Sequence, residues 1–341
     1  MRQGTRRIRP FVAAARISHR GVSRPLQRAV TDFAADVPFA RAMDKLVEHY
    51  GVLLNESVIR RISLAHGQKM DEDTSLQATW PERAGADWII AETDGGMIPI
   101  MEPRTDSPDR RKGKVLRWKE AKIALAHPYG SQTLHYGGTL EGGAARAGEI
   151  LFDCACRAGF GRDSQLHAVG DGADWITAQV EERFGQNGRY LLDFFHVCDY
   201  LAAAAKRIEP DETTASVWIE EQKTQLKQGE YATVLHTLEQ HREADHLADE
   251  EAPIRVCHRY LHNRTEQLYY DDALRKDLPI GSGEIESAHR YLVQQRLKRP
   301  GAWWRTHNAE HMLALRLNRA NRQWNDYWKN AAAEKYASTS V

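Results

Sequence analysis

Residues 87–96 read DWIIAETDGG, and residues 166–172 read LHAVGDG. In each, a short apolar run leads into an aspartate followed by glycine. The first run carries β-branched residues, as a buried strand does. It is expected to end at Thr93-Asp94-Gly95-Gly96. The second, Leu166–Val169, is expected to end at Gly170-Asp171-Gly172. Asp94 and Asp171 would then both stand at strand ends, where side chains from distant sequence converge in an α/β sheet. Carboxylates are hard oxygen ligands suited to Mg²⁺ or Mn²⁺, and glycine lets a metal or substrate approach the backbone. An Asp-Gly pair can equally just begin a turn, and both readings stay open here.

The flanking pattern gives the fold class. Lys114–Ala126 and Gln132–Leu140 are two more candidate strands, and Glu102–Lys114 (EPRTDSPDRRKGK) reads as a loop. Gly142–Gly159 and Ala173–Phe184 have helical periodicity, and Tyr190–Phe195 is a further strand candidate. Three strands, a helix, a strand, a helix and a strand make a mixed α/β sheet domain. From Tyr200 to Asp277 the pattern is helical and highly charged. Pro279-Ile280-Gly281-Ser282-Gly283 breaks it. A helix is expected from Glu284 to Arg299 and another from Asn308 to Trp328. On the amino-terminal side, Arg24–Asp36, Phe39–Tyr50 and Ser57–Lys69 show apolar residues at helical spacing. They resemble a helix-turn-helix, with Val58-Ile59-Arg60-Arg61 on the candidate recognition helix.

The chain has 341 residues, and 42% of them are apolar, enough for a sizeable core. At roughly 100–200 residues per domain it holds about two domains. No apolar stretch approaches the ~20 residues of a membrane span. The four cysteines, Cys154, Cys156, Cys198 and Cys257, form no disulfide scaffold and no zinc spacing, which points to a reducing, cytoplasmic compartment. Lys+Arg and Asp+Glu are both 47, so a globally basic coat is excluded. The charge is nevertheless uneven. Residues 1–31 hold eight arginines and no acid, and residues 287–322 hold eight Lys/Arg against Glu310 alone. Basic ends suggest a polyanion partner. A solvated tail or a targeting segment would also give the Arg-rich start.

Two carboxylates, Glu284 and Glu286, open the helix after Gly281-Ser282-Gly283. Acids favour a helix amino terminus for dipole reasons alone. One of them could instead join Asp94 and Asp171 around two divalent ions, which clamp the attacking and leaving oxygens of a phosphoryl displacement.

Three motifs together carry a resemblance. They are Thr93-Asp94-Gly95, Gly170-Asp171-Gly172-Ala173-Asp174-Trp175-Ile176, and Leu278-Pro-Ile-Gly-Ser-Gly-Glu-Ile-Glu-Ser287. Gln295-Arg-Leu-Lys298, Gly301-Ala-Trp-Trp304 and Leu313-Ala-Leu-Arg316 follow. The chain resembles the DDE transposases of bacterial insertion sequences, of the Kra type related to Mutator-like elements, over residues 24–328. The resemblance implies an RNase H-like mixed sheet with flanking helices, interrupted by an all-helical insertion. It implies metal-dependent DNA cleavage and strand transfer by Asp94, Asp171 and Glu286, which would hold two Mg²⁺ or Mn²⁺ ions. Glu284 falls at the variable position of the Gly-Ser-Gly-x-x-Glu pattern. Asp193-Phe-Phe-His196 matches an accessory signature, for which an ordinary buried polar pair is the alternative.

DNA contact is expected from Arg60, Arg61, Gln295, Arg296, Lys298, Arg299, Trp303, Trp304 and Arg305, and from the Asp109–Lys114 loop. Core packing of the two tryptophans is the alternative. Double-stranded DNA and at least a dimer on it are the implied partners, with the protein at the nucleoid. The expected divisions are a basic amino terminus (1–23), a helical region (24–84), a first core part (85–199), the insertion (200–277), the carboxy-terminal core helices (278–330) and a loose tail (331–341). Relatives often begin with a cysteine-bearing zinc segment. No cysteine precedes Cys154, so the expectation is that the sequence either lacks that module or begins inside it, the second favoured over a targeting segment for the Arg-rich start. A nuclease without strand transfer, or a non-catalytic DNA-binding remnant, are the competing readings.

Overall fold

The computed structural model describes residues 17–18, 21–103 and 113–337. The amino terminus before residue 17, residues 19–20, the loop 104–112 and residues 338–341 lie outside the described residues. Most of the basic amino-terminal arm and of the Asp109–Lys114 loop therefore lies outside them too.

One five-stranded mixed sheet organises the chain. Its strands are β1 (Trp88–Pro103), β2 (Lys114–Pro128), β3 (His135–Thr139), β4 (Gln165–Gly170) and β5 (Gly188–Leu192), in the order β3-β2-β1-β4-β5. The β1–β2 and β2–β3 pairs are antiparallel, and the β1–β4 and β4–β5 pairs are parallel. Helices α4 (Gly143–Arg157) and α5 (Asp174–Phe184) cover one face. Ile89, Ala91, Ala124 and Ala126 point to that side, as alternation along a strand requires. The opposite residues Ile90 and Val169 pack under α6 (Phe194–Ile208), α7 (Glu212–Lys227), α8 (Tyr231–Gln240), α9 (Pro253–His262) and α10 (Tyr270–Arg275). Further along the same face, Ile98, Ile100, Ala121 and Ile123 pack under α11 (Gly283–Ala288) and α12 (Thr306–Ala320). The result is a three-layer α/β/α arrangement.

Amino-terminal helices α1 (Arg24–Asp36), α2 (Phe39–Tyr50) and α3 (Glu56–Glu72) lie where their periodicity put them. Pro25 opens α1, Gly51 closes α2 in the left-handed conformation, and the Asn55 side chain accepts the Val58 N–H to cap α3. The buried stripe of α3 contacts α12: the backbone of His311 lies against Gly67, where a side chain would collide. Helix α13 (Trp324–Ala337) adds Tyr327 and Trp328 to this seam.

Four local expectations need correction. Strand β1 does not end at Glu92 but runs on to Pro103, so Asp94 is inside a strand. Gly95 and Gly96 make no turn there. They are glycines because the Glu120 side chain lies against one and the His289 ring against the other, 2.8 Å from where a Gly96 Cβ would be. Phe194 and Phe195 are not strand residues, because the Asp193 side chain caps α6 and accepts both the Phe195 and His196 N–H groups. The expected helix from Asn308 to Trp328 is two helices, α12 and α13. They are broken at Asn321–Gln323, where Arg322 takes a left-handed conformation. The expected loose tail is helical through Ala337.

Candidate functional site

Parallel pairing of β1 with β4 runs from Trp88↔Gln165 to Glu92↔Val169. Carrying that register two residues further sets Asp94 beside Asp171, at the point where the strands part. Neighbouring strands lie about 4.8 Å apart, and the Asp171 charge acts on the Asp94 carboxyl. Burial pushes the Asp94 carboxyl up, and the Asp171 charge adds to it. The His289 ring, the Gly95 N–H (2.6 Å) and His196 pull the other way. His289 is buried, with Nε2 3.1 Å from the Asp94 carbonyl oxygen and 3.6 Å from Oδ2.

The all-helical segment holds the Asp171 loop from outside the sheet. Tyr260 on α9 donates its hydroxyl to the Asp171 carbonyl at 2.7 Å, and Arg264 Nε donates to the Gly172 carbonyl at 2.9 Å. Within the loop, Asp171 Oδ1 accepts the Ala173 N–H and Tyr190 Oη accepts the Gly172 N–H. Gly172 has φ 86°, a left-handed conformation that glycine adopts without strain. Tyr260 also stacks on Tyr200, and His196 packs edge-on against both rings. His196 is thereby set on the Asp94 side of the site.

Helix α11 brings the third candidate carboxylate. Glu286 is exposed on α11, one turn before His289, so the two share a side of the helix. Helix α11 continues through a π-helical stretch, His289–Gln294, which starts at the residue touching Asp94. Such bulges recur at functional sites. Glu284 is engaged elsewhere, with Oε2 3.0 Å from His127 Nε2. Burial works against a charged His127, but the Glu284 hydrogen bond and charge outweigh it and raise its pKa. Asp193 is buried, and its oxygens are taken by the α6 cap and by the backbone N–H and hydroxyl of Ser282. Asp193 is thus bonded to the His196 backbone and to Ser282, while the His196 ring lies against Tyr200 and Tyr260.

Sequence reasoning missed Glu92, His127 and His289. Glu92 is 2% exposed, and its Oε2 accepts the Ile285 N–H at 2.7 Å. Burial pushes its carboxyl up to about 8, with Glu284 and Asp193 adding to the effect. The sequence signal was the i,i+2 spacing of Glu92 and Asp94, which puts both on one face once the strand extends past Thr93. The folded state holds a proton that the unfolded chain releases between its ordinary value of 4.5 and about 8. Stability conferred by that proton is present below the lower value and is lost as pH rises through the upper one. In EDTA, wild type is therefore expected to lose a few kcal/mol relative to Glu92→Gln across that window. Urea midpoints at several pH values measure this, and equal slopes for the two proteins would refute it.

Donor chemistry in the site suits a hard cation: two neighbouring carboxylates, one disfavoured as an anion, with a third on the helix that carries His289. Among the described residues, no three or more His, Cys, Asp or Glu side chains already form a group that could hold a metal. Glu286 would have to turn towards the aspartate pair. The cysteines stand apart, with Cys154, Cys156 and Cys257 buried and their thiols pushed up by burial to about 12, 11 and 12. A cleft of about 800 Å³ lies at the edge strand β3 between α3, α12 and α13. None of the candidate carboxylates lines it.

The expected DNA-contact residues divide. Gln295, Lys298, Arg299 and Arg305 are exposed, as is Trp303 (63%). Lys298 Nζ lies 6.0 Å over the exposed Trp118 ring. Arg60 is exposed on α3, and Arg61 is half-buried. Arg296 and Trp304 need correction, because both are buried. Arg296 donates to the Ala34 carbonyl and is sandwiched between Phe39 and Trp304. The Trp304 carbonyl accepts the Met101 N–H from β1. These two residues join α1 and the sheet to the segment after α11, so they cannot lie on a phosphate backbone.

Residues 161–329 match the model of a family described as Uncharacterised protein family (UPF0236). The match contains Asp171, the all-helical segment and Glu286 but stops short of Asp94. No curated protein matches the chain. No helix among the described residues is long and apolar enough to cross a membrane.

Proposed function

We propose that this chain is a DDE-type transposase of an insertion sequence, which cleaves DNA and transfers the freed strand. The observation that carries this reading is the closeness of Asp94 and Asp171 where parallel strands β1 and β4 part, with His289, one turn after Glu286, against Asp94. The strand order β3-β2-β1-β4-β5, with three antiparallel strands followed by two parallel ones, supports an RNase H-like core. The helices between β5 and α11 then read as an insertion. Asp94, Asp171 and Glu286 would hold two Mg²⁺ or Mn²⁺ ions. When bound, such ions stabilise the attacking and leaving oxygens of an in-line displacement. The chain itself supplies placement: His289 and Gly95 fix Asp94, and Tyr260 and Arg264 fix the Asp171 loop.

Double-stranded DNA is the proposed partner, bound by at least two copies of the protein in the cytoplasm at the nucleoid. Among the exposed basic residues, Lys298→Ala, Arg299→Ala and Arg305→Ala are each expected to weaken binding. Each should also lower the salt slope by about 0.9 for a lost phosphate contact. Arg296→Ala is expected to lower the urea midpoint and leave that slope unchanged. Fluorescence anisotropy across a salt series separates the two classes, and a reduced slope for Arg296→Ala would contradict its placement.

The deciding experiment is Mg²⁺- or Mn²⁺-dependent nicking of DNA carrying the element's own ends, with wild type beside Asp171→Ala. Nicking and strand transfer by wild type alone would support the proposal. Nicking without transfer would replace it with a nuclease, and binding without nicking would replace it with a DNA-binding remnant.

A further inference from the structure

The amino terminus of α11 is tied to the sheet in an unusual way. The first N–H groups of a helix have no partner within the helix, and a serine just before it ordinarily supplies one. Ser282 occupies that place but makes no side-chain cap. Its hydroxyl and its backbone N–H both go to Asp193 Oδ2. The open Ile285 N–H is taken instead by Glu92, reaching from β1 at 2.7 Å. Asp193 follows β5, and its own N–H donates to the Gly170 carbonyl, next to Asp171. The two buried carboxylates thus hold the Ser282–Ile285 segment from either side of β4. One sits two residues before Asp94 on the same face, and the other is hydrogen-bonded into the strand end that carries Asp171.

We propose that Glu92 and Asp193 are paired positioning residues, a two-point clamp that sets α11, and with it Glu286 and His289, over the Asp94–Asp171 pair. This rests on the transposase reading of the site and names what gives its third carboxylate a fixed address. Neither residue touches the reacting atoms. Each acts through a backbone N–H of the segment that leads into Glu286. A purely structural role would require only that the interior be filled. A positioning role requires the acceptor oxygen itself.

Glu92→Met fills the space and removes the acceptor, whereas Glu92→Gln keeps it. The readouts are the Mn²⁺ half-saturation of nicking, and Mn²⁺ binding to the protein alone by electron paramagnetic resonance. Glu92→Met is expected to weaken both by about 10–100-fold, the usual effect of losing an outer support of a metal ligand. Glu92→Gln should stay close to wild type in both. If Glu92→Met does not fold, Ser282→Ala removes one donor to Asp193 and is expected to move the same readouts in the same direction. Unchanged half-saturation in the acceptor-less variant, or equal damage from Glu92→Gln, overturns the clamp. If wild type binds Mn²⁺ without nicking, the transposase reading fails and the resonance titration alone decides the clamp. Wild type that binds no Mn²⁺ overturns both.

Discussion

Asp94→Asn is expected to reduce metal-dependent nicking about a thousandfold or more, with DNA affinity nearly unchanged. The size follows from the several kcal/mol that a bound ion contributes to the transition state, at about 1.4 kcal/mol per factor of ten. The amide keeps the shape of the side chain and its place against His289 but removes the charge that a cation needs. The same substitution has an opposite effect on stability. Burial and the neighbouring Asp171 charge both disfavour an ionised Asp94. Its folded-state affinity for protons therefore exceeds the unfolded one, and the folded chain loses stability as pH rises through that range. In EDTA at neutral pH, Asp94→Asn should thus unfold at a higher urea concentration than wild type. Added Mg²⁺ should narrow that gap by stabilising wild type alone. A variant both inactive and less stable in EDTA would mean that the His289 and Gly95 contacts of a charged Asp94 outweigh the tension of burial and of the Asp171 charge.

That tension was only partly visible in the sequence. The two Asp-Gly motifs and the apolar runs before them were legible because a buried strand must be apolar and β-branched. The register that makes Asp94 a neighbour of Asp171 was not, because strand pairing is a long-range property. Gly95-Gly96 misled for a physical reason. Glycine is rare inside strands and common in turns, yet here the two glycines clear space for Glu120 and for His289, which lies 193 positions after Gly96. The helices of residues 24–70 were legible from periodicity and from Pro25, Gly51 and Asn55. Arg296 was not, because an arginine between Gln295 and Lys298, both exposed, looks like a surface cation. Only the fold shows Phe39 and Trp304 closing over it. Glu92 was hidden for a similar reason, since one acid ending an apolar run reads as the edge of a strand rather than as a helix cap.

The largest stability effect is expected at Arg316, on α12. The residue is 1% exposed. Nε donates to the Leu292 carbonyl at 3.0 Å, Nη2 donates to the Tyr291 carbonyl, and Nη1 donates to the Ala35 carbonyl and to Asp36 Oδ1. Two of these acceptors, Ala35 and Asp36, are in the last turn of α1, where helix carbonyls lack internal partners and the dipole favours a cation. The others belong to the π-helical stretch that follows His289. One guanidinium therefore joins the amino-terminal helices to the element that contacts Asp94. Arg316→Ala would leave Asp36 with Arg319 as a partner but the Leu292, Tyr291 and Ala35 carbonyls without this donor, and buried acceptors left open cost about 1–3 kcal/mol each. Arg316→Lys should recover only part of the loss, because an ammonium cannot span acceptors on both sides as the planar fork does. Because the bonded acceptors lie on both sides of the seam, urea unfolding followed by Trp fluorescence should show a single transition moved to lower urea. A separate early transition would instead mean that α1 to α3 come away as an independent unit.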